Sequence, residues 1–248
     1  MDEERRQRRI GAVVLGIAAM LTLGAAAWRH NLLWLVHPPS DWVRVLDVSH
    51  HQGPIDWAAV RRDGVGGAWI KASEGGDVRD ARFDENRKGA EAAGLRWGAY
   101  HFFTFCRPAE DQAANFLAAL AGDAGTLPSA VDVETGGNCA AVPSPGPLKT
   151  ALTTFMVEIE ERLGRPLLVY VIPEQVPLLF EDDGPPSGHL WVRGLFSRPS
   201  IAFGALEVWQ FHSRGWVAGV KGPVDLNAVP PLTWAGWGEV NAAAESAP

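Results

Sequence analysis

Hydrophobic positions follow two different patterns along this chain. Residues 10–28 are uncharged and mostly apolar, a run of about nineteen residues, close to the length a helix needs to cross a bilayer core of about 30 Å. Arg5, Arg6, Arg8 and Arg9 precede it. Such a cluster stays in the cytoplasm, so the rest of the chain is expected on the periplasmic or extracellular side of a bacterial inner membrane. The run exceeds a usual signal core and apolar residues resume over 32–36, which favours an uncleaved, single-pass anchor. The small residues in Leu23-Gly24-Ala25-Ala26-Ala27 leave signal cleavage and secretion as the alternative. On this reading, residues 1–9 are a cytoplasmic basic tail and 10–28 the transmembrane anchor. Residues 29–40 are a linker ending in Pro38-Pro39-Ser40.

From Asp41 onward, short apolar runs alternate with helical periodicity. Val43-Arg44-Val45-Leu46-Asp47-Val48, residues 67–71, residues 96–103, the run ending at Glu134 and residues 167–171 read as strands. Helices lie between them: a short one capped by Asp56, one over 83–93 closed by Gly94, and one over about 109–121. A fourth reaches Leu163 after a Gly/Pro-rich loop that ends at Pro147. Five β-α units in succession imply an α/β fold with a parallel sheet, most simply a TIM-like β/α barrel. Beyond residue 171 the pattern changes. Leu190-Trp191-Val192 and residues 206–211 are strands with no good helix between them, so the final part is expected to be irregular and β-rich. The barrel domain is placed at 41–232. The Ala/Ser/Glu composition of the tail, 233–248, reads as a poorly ordered end.

Composition narrows the function. At 248 residues with 47% hydrophobic, one large domain with a substantial core is possible. The net charge of −7 leaves no basic surface, so nucleic acid is not an expected partner. The two cysteines lack C-x-x-C spacing and no H-E-x-x-H is present, so no zinc site is supported. Gly64-Val65-Gly66-Gly67 precedes a strand instead of joining a strand to a helix, so it is not a phosphate loop. No metal and no cofactor is expected, and a monomer is.

The chemistry centres on Ser129-Ala130-Val131-Asp132-Val133-Glu134-Thr135. Side chains alternate along a strand, so Asp132 and Glu134 share a face with Cα atoms roughly 7 Å apart. Two acids so placed raise at least one pKa and set a proton donor beside a charged partner, as glycoside hydrolysis requires. Metal ligation and plain ion pairing are the other readings of such a pair. In a β/α barrel the carboxyl ends of the strands open on one face. Those ends carry Asp47, Lys71 and Glu74, Tyr100 and His101, Asp132 and Glu134, Tyr170, and Trp209 and Gln210. Asp225 and Asn227 follow near the end of the domain. An acid-rich cleft with aromatic walls suits a carbohydrate.

The residues also carry a family resemblance. Val45-Leu46-Asp47-Val48-Ser49-His50-His51-Gln52-Gly53, Ile55-Asp56-Trp57, Trp69-Ile70-Lys71-Ala72-Ser73-Glu74-Gly75 and Gly98-Ala99-Tyr100-His101-Phe102 are its first half. Asp132-Val133-Glu134, Val208-Trp209-Gln210-Phe211 and Val224-Asp225-Leu226-Asn227 complete it. Over about 43–229 the chain resembles glycoside hydrolase family 25, the bacterial, phage and fungal muramidases. The resemblance implies a flattened barrel with a less regular final part, and metal-free cleavage of the β-1,4 bond between N-acetylmuramic acid and N-acetylglucosamine in peptidoglycan glycan strands. It implies Glu134 as general acid and base. It implies Asp132 as stabiliser of the charged transition state or orienter of the substrate acetamido group, with Asp47 and Asp225 as further cleft acids. Tyr100, Tyr170, Trp209, Gln210, Lys71 and Glu74 are the substrate-binding candidates. Two positions depart from the family pattern. Val78 occupies a usual aromatic or leucine position, and Arg193-Gly194-Leu195 follows Trp191 where an alanine and a tyrosine are often found.

Some residues have simpler readings. Glu74 suits a salt bridge within its loop, His101 a hydrogen-bonded barrel position, Trp57 and Trp69 the core, and Asp225 a turn. Cys106 follows the third strand and Cys139 the fourth, so neighbouring strands would bring both to one face and permit a disulfide; two separate thiols are the alternative. A non-catalytic, membrane-anchored peptidoglycan-binding or scaffold protein is the alternative function. A metal-dependent hydrolase is a more distant one.

Overall fold

Strand β1 (Val43–Val48) pairs on both sides, and that double pairing closes the sheet. A computed structural model defines residues 2–29 and 37–245. In it β1 runs parallel to β2 (Gly67–Glu74) and antiparallel to β9 (Val224–Val229). From β2 the sheet continues in parallel through β4 (Arg96–Phe102), β5 (Ala130–Asp132), β6 (Leu168–Val171), β7 (His189–Arg193) and β8 (Ala205–Gly215). β9 then returns antiparallel between β8 and β1. Eight strands make the closed, barrel-like sheet, and the two-residue β3 (Val78–Arg79) hangs from β2 as a hairpin.

Strand alternation divides the core in two. Leu46, Val48, Ile70, Ala99, Val131 and Val169 point outward into the layer filled by the helices. These are α2 (Trp57–Arg62), α3 (Phe83–Ala92), α4 (Ala109–Leu120) and α5 (Pro145–Leu163). Phe155 on α5 is fully buried there, its ring stacked 4.9 Å from His101 and edge-on to Phe103 at 5.6 Å. His101 also binds Ser73 Oγ at 2.8 Å and Gln112 Oε1 at 3.2 Å. Burial pushes its pKa down to about 3 and keeps it neutral. It is the barrel residue its pattern predicts.

The alternate residues, among them Val45, Trp69, Ala130, Leu168, Trp191 and Val208, fill the barrel interior. Trp69 is fully buried, donates to Pro128 O at 2.9 Å and packs 5.0 Å from Trp191. Apolar filling therefore occupies the lower barrel. Two residues further along each strand, the same inward face meets the mouth.

Several elements differ from the expectation. β2 extends three residues past Lys71, and a five-residue helix α6 (Val176–Phe180) follows β6. Beyond β9 the chain continues as helix α7 (Pro231–Glu245). Its Trp237 packs 5.9 Å from Trp69, and Arg96 donates to Trp234 O at 2.7 Å with its guanidinium 4.4 Å from that ring. The alanines favour a helix, and the partly buried tryptophans seat it against the barrel floor. At the other end of the chain, α1 (Asp2–Arg29) contains a segment, Gln7–Ala26, of mean hydropathy 1.8 with no part buried against the protein. It is long and apolar enough to cross a membrane. Residues 30–36, most of the expected linker, lie outside the described residues.

Candidate active site

At the carboxyl ends of the strands the inward faces converge on a cleft of about 480 Å³. Asp47, Lys71, Glu74, Tyr100, Asp132, Glu134, Tyr170, Gln210 and Asp225 all line it. Most lie an even number of residues past an interior core position: Val45 leads to Asp47, Trp69 to Lys71, Ala130 to Asp132 and Val208 to Gln210. Glu74, five residues past Trp69, reaches the cleft through a register shift in β2 between Lys71 and Ser73. Asp132 is the last residue of β5, and Glu134 stands just beyond it on the loop.

Asp47 is the best-anchored carboxylate. Its Oδ2 accepts from Asn227 Nδ2 at 2.7 Å and from Gln210 Nε2 at 3.4 Å. Those amides are themselves oriented: Trp191 Nε1 donates to Asn227 Oδ1 at 2.7 Å and Tyr170 Oη donates to Gln210 Oε1 at 2.8 Å. Withdrawal from water pushes the pKa of Asp47 up to about 6 despite these bonds, which oppose the shift. Asp225 shares a hydrogen bond with it. Burial first, then the charge of Asp47, carries Asp225 up to about 9, so Asp225 keeps its proton and donates it to Asp47.

Asp132 is raised well above the usual carboxylate range, by burial first and then by the charges of Glu134 and Asp47. Its Oδ1 is buried without a hydrogen-bond partner. Glu134 is raised as well, chiefly by burial, while Arg193 and Lys71 pull it down and Asp47 pushes it up. The loop that carries Glu134 is fixed through Asn138. Asn138 Nδ2 donates to Glu134 O at 2.9 Å and Phe103 O at 2.8 Å, while its Oδ1 accepts from Phe105 N and Cys139 N. Next to it Cys106 and Cys139 form a disulfide, their Cα atoms 6.0 Å apart. The bridge ties this loop to the one after β4.

Other candidates fall differently. Lys71 Nζ pairs with Glu74 Oε2 at 2.7 Å, the loop salt bridge that is the simpler reading of Glu74. Tyr100 and Tyr170 pack edge-on to Trp191 at 6.4 and 5.2 Å and form an aromatic wall. Trp209 is not in the cleft. It precedes Gln210 on β8 and so points to the opposite face, where it is buried against Trp42 and Phe211 and donates to Gly194 O at 2.8 Å. The alternation that puts Gln210 in the cleft excludes its neighbour. Trp191, Arg193 and Phe102 line the cleft without having been singled out from the sequence. For Trp191 and Arg193 the available signal is their i, i+2 spacing on β7.

The titration of Asp225 makes a stability prediction. Folded, it keeps its proton until about pH 9, whereas unfolded it ionises near 3.8. Between those values the unfolded state ionises first, so stability contributed by this group falls as pH rises. Asparagine cannot ionise. Asp225→Asn should therefore gain on the wild type steadily from acid pH to about pH 9, read as the difference in urea midpoint across pH. A difference independent of pH would refute the protonated assignment.

A closed β/α barrel whose mouth pairs carboxylates raised above their usual pKa with aromatic walls matches the two-carboxylate requirement of glycoside hydrolysis. Comparison with known proteins agrees: residues 46–220 match glycosyl hydrolases family 25. Lysozyme M1 of Streptomyces globisporus is 31% identical over 197 residues, 75% of this chain and 67% of that protein. The uncharacterized protein YegX of Escherichia coli K12 is 31% identical over 199 residues, 77% of this chain and 70% of that protein. Among solved structures, a family 25 glycosyl hydrolase from Bacillus anthracis has a TM-score of 0.69 at 28% identity, covering 78% of this chain and 91% of that one. A bacterial lysozyme from Streptomyces coelicolor has a TM-score of 0.67 at 28% identity, covering 77% of this chain and 93% of that one. The chain belongs to glycosyl hydrolases family 25 and is a glycoside hydrolase.

Proposed function

We propose that the protein is a muramidase that hydrolyses the β-1,4 bond between N-acetylmuramic acid and N-acetylglucosamine in peptidoglycan. The observation that carries this reading is the Asp132–Glu134 pair, both acids held above their usual pKa at the mouth of the barrel. Membership of a family that includes the relative named Lysozyme M1 supports it.

In this mechanism Glu134 enters protonated and gives its proton to the glycosidic oxygen as the C1–O bond breaks. The resulting carboxylate then takes a proton from the water that adds to C1, which restores the acid. Asp132, which lines the cleft beside Glu134, orients the acetamido group so that its oxygen faces C1, where positive charge develops. Asp47 and Asp225, one charged and one neutral, hold the sugar and set the field at Glu134. Tyr100, Tyr170 and Gln210 form the walls against which the ring packs.

The barrel acts as a monomer, built of five β-α units and an irregular β-rich closure. α1 keeps its arginines in the cytoplasm and anchors the exported barrel to a bacterial inner membrane, or is removed on secretion. The disulfide suits an exported compartment.

Mass spectrometry of purified peptidoglycan digested with a soluble fragment beginning near residue 39 tests the reading. Fragments ending in reducing N-acetylmuramic acid are expected. Reducing N-acetylglucosamine ends would mean a different bond, and intact glycan with retained binding would mean a scaffold.

A further inference from the structure

The charges lining the cleft do not balance one for one. Five carboxylates, Asp47, Glu74, Asp132, Glu134 and Asp225, face two cations, Lys71 and Arg193. Lys71 is committed: its ammonium lies 2.7 Å from Glu74, with only 12% of its side chain exposed. Arg193 is not. Its nearest acid is Glu174, 3.6 Å from Nη2 and beyond hydrogen-bond distance, on a side chain that is 77% exposed. No described residue accepts a hydrogen bond from its guanidinium. Such a pair contributes little and exchanges readily with another anion.

The strand fixes where Arg193 points. It is the last residue of β7 and lies two positions beyond Trp191, whose ring fills the barrel interior, so both face inward. Arg193 therefore presents its planar, five-donor fork at the rim of the same cleft that holds Glu134, in register with Gln210 on the neighbouring strand β8. It is also the cation that acts most strongly on Glu134. Asp225 retains its proton and burial shifts Asp132 in the same direction, so the local field around Arg193 is less acidic than the residue list implies.

A guanidinium with free donors at the edge of a glycan cleft matches a carboxylate bidentately. We propose that Arg193 is a specificity-determining residue that binds a carboxylate carried by the glycan substrate. The proposal rests on the muramidase reading, because a muramyl residue bears a carboxylate that a neutral glucosamine polymer lacks. Two sources share this chemistry. In glycan strands stripped of peptide, the 3-O-lactyl carboxylate is free; in intact peptidoglycan that group is an amide, and the free carboxylates belong to the stem peptide.

Steady-state kinetics of the full barrel with Arg193→Met and Arg193→Lys separates the cases. Substrates are intact peptidoglycan and amidase-stripped strands, each used as such and after carbodiimide conversion of its carboxylates to amides. The ratio of KM values, Arg193→Met over wild type, is expected to be about ten on the carboxylate-bearing substrate. It should fall toward one on the amidated counterpart, with Arg193→Lys in between. A penalty confined to stripped strands assigns the lactyl carboxylate, and one confined to intact material assigns the peptide. Arg193→Met also removes a charge from Glu134, which changes kcat and its pH profile equally on native and amidated substrates and is read separately. A KM ratio unaffected by amidation overturns the proposal while leaving the muramidase reading in place. Absence of cleavage by wild type on every substrate overturns both.

Discussion

Glu134→Gln is expected to lower kcat on peptidoglycan by roughly a hundred- to ten-thousand-fold, the span that a positioned general acid usually contributes. The amide keeps the shape of the side chain and can still donate an N–H, but it cannot release a proton to the leaving oxygen or take one from water. Glycan binding should persist, since the walls of Tyr100, Tyr170 and Gln210 are untouched. The fold should persist as well. Glu134 is raised mainly by burial, so removing its charge relieves desolvation and leaves the thermal midpoint equal or higher. The check is single-turnover product formation beside a binding isotherm. Activity within about tenfold of wild type would move the acid elsewhere, with Asp132 the next candidate.

Asp132→Asn is the second large effect, a drop in kcat of about a hundredfold or more with KM changed far less. Asp132 lies at the end of β5, and its Oδ1 has no hydrogen-bond partner among the described residues. An unpaired buried acceptor costs stability, while the cleft-facing part of the same carboxyl is what the substrate meets in the proposed mechanism. Asparagine preserves volume and an acceptor but presents fixed donors where the acid has one movable proton, and it cannot release that proton as positive charge develops in the transition state. Stability should move the other way. Asp132 holds its proton far above the usual range, so above the unfolded carboxylate pKa the wild type carries a penalty that the amide lacks. Lower kcat with a higher urea midpoint is the expected signature. Unchanged kcat would remove Asp132 from the chemistry and leave it a structural acid.

What was legible in the sequence follows from local periodicity. The strand runs and the helices between them are each readable within a window of ten or so residues, and their succession points to a barrel. The inward acids are also readable, because i, i+2 spacing is a property of the strand itself. That rule, applied to Asp132 and Glu134, places both in the cleft; applied to Trp209 and Gln210, it admits only one. Long-range packing was not legible: Trp234 and Trp237 seat α7 beneath the barrel against Trp69, more than 160 residues earlier in the chain.

By itself, the sequence determined the class of fold, the family, the facing of the acid pair and an N-terminal segment apolar enough for a bilayer, because backbone geometry and burial impose those patterns over short distances. Only the tertiary structure decided which neighbours each side chain meets. It set Asn227 and Gln210 on Asp47, gave the proton to Asp225, locked the Glu134 loop through Asn138 and the Cys106–Cys139 bridge, turned Trp209 out of the cleft and left Arg193 unmatched beside it. Those outcomes depend on strands far apart in the chain closing into a ring. Protonation and pairing are set by that spatial environment, which no single stretch of sequence contains.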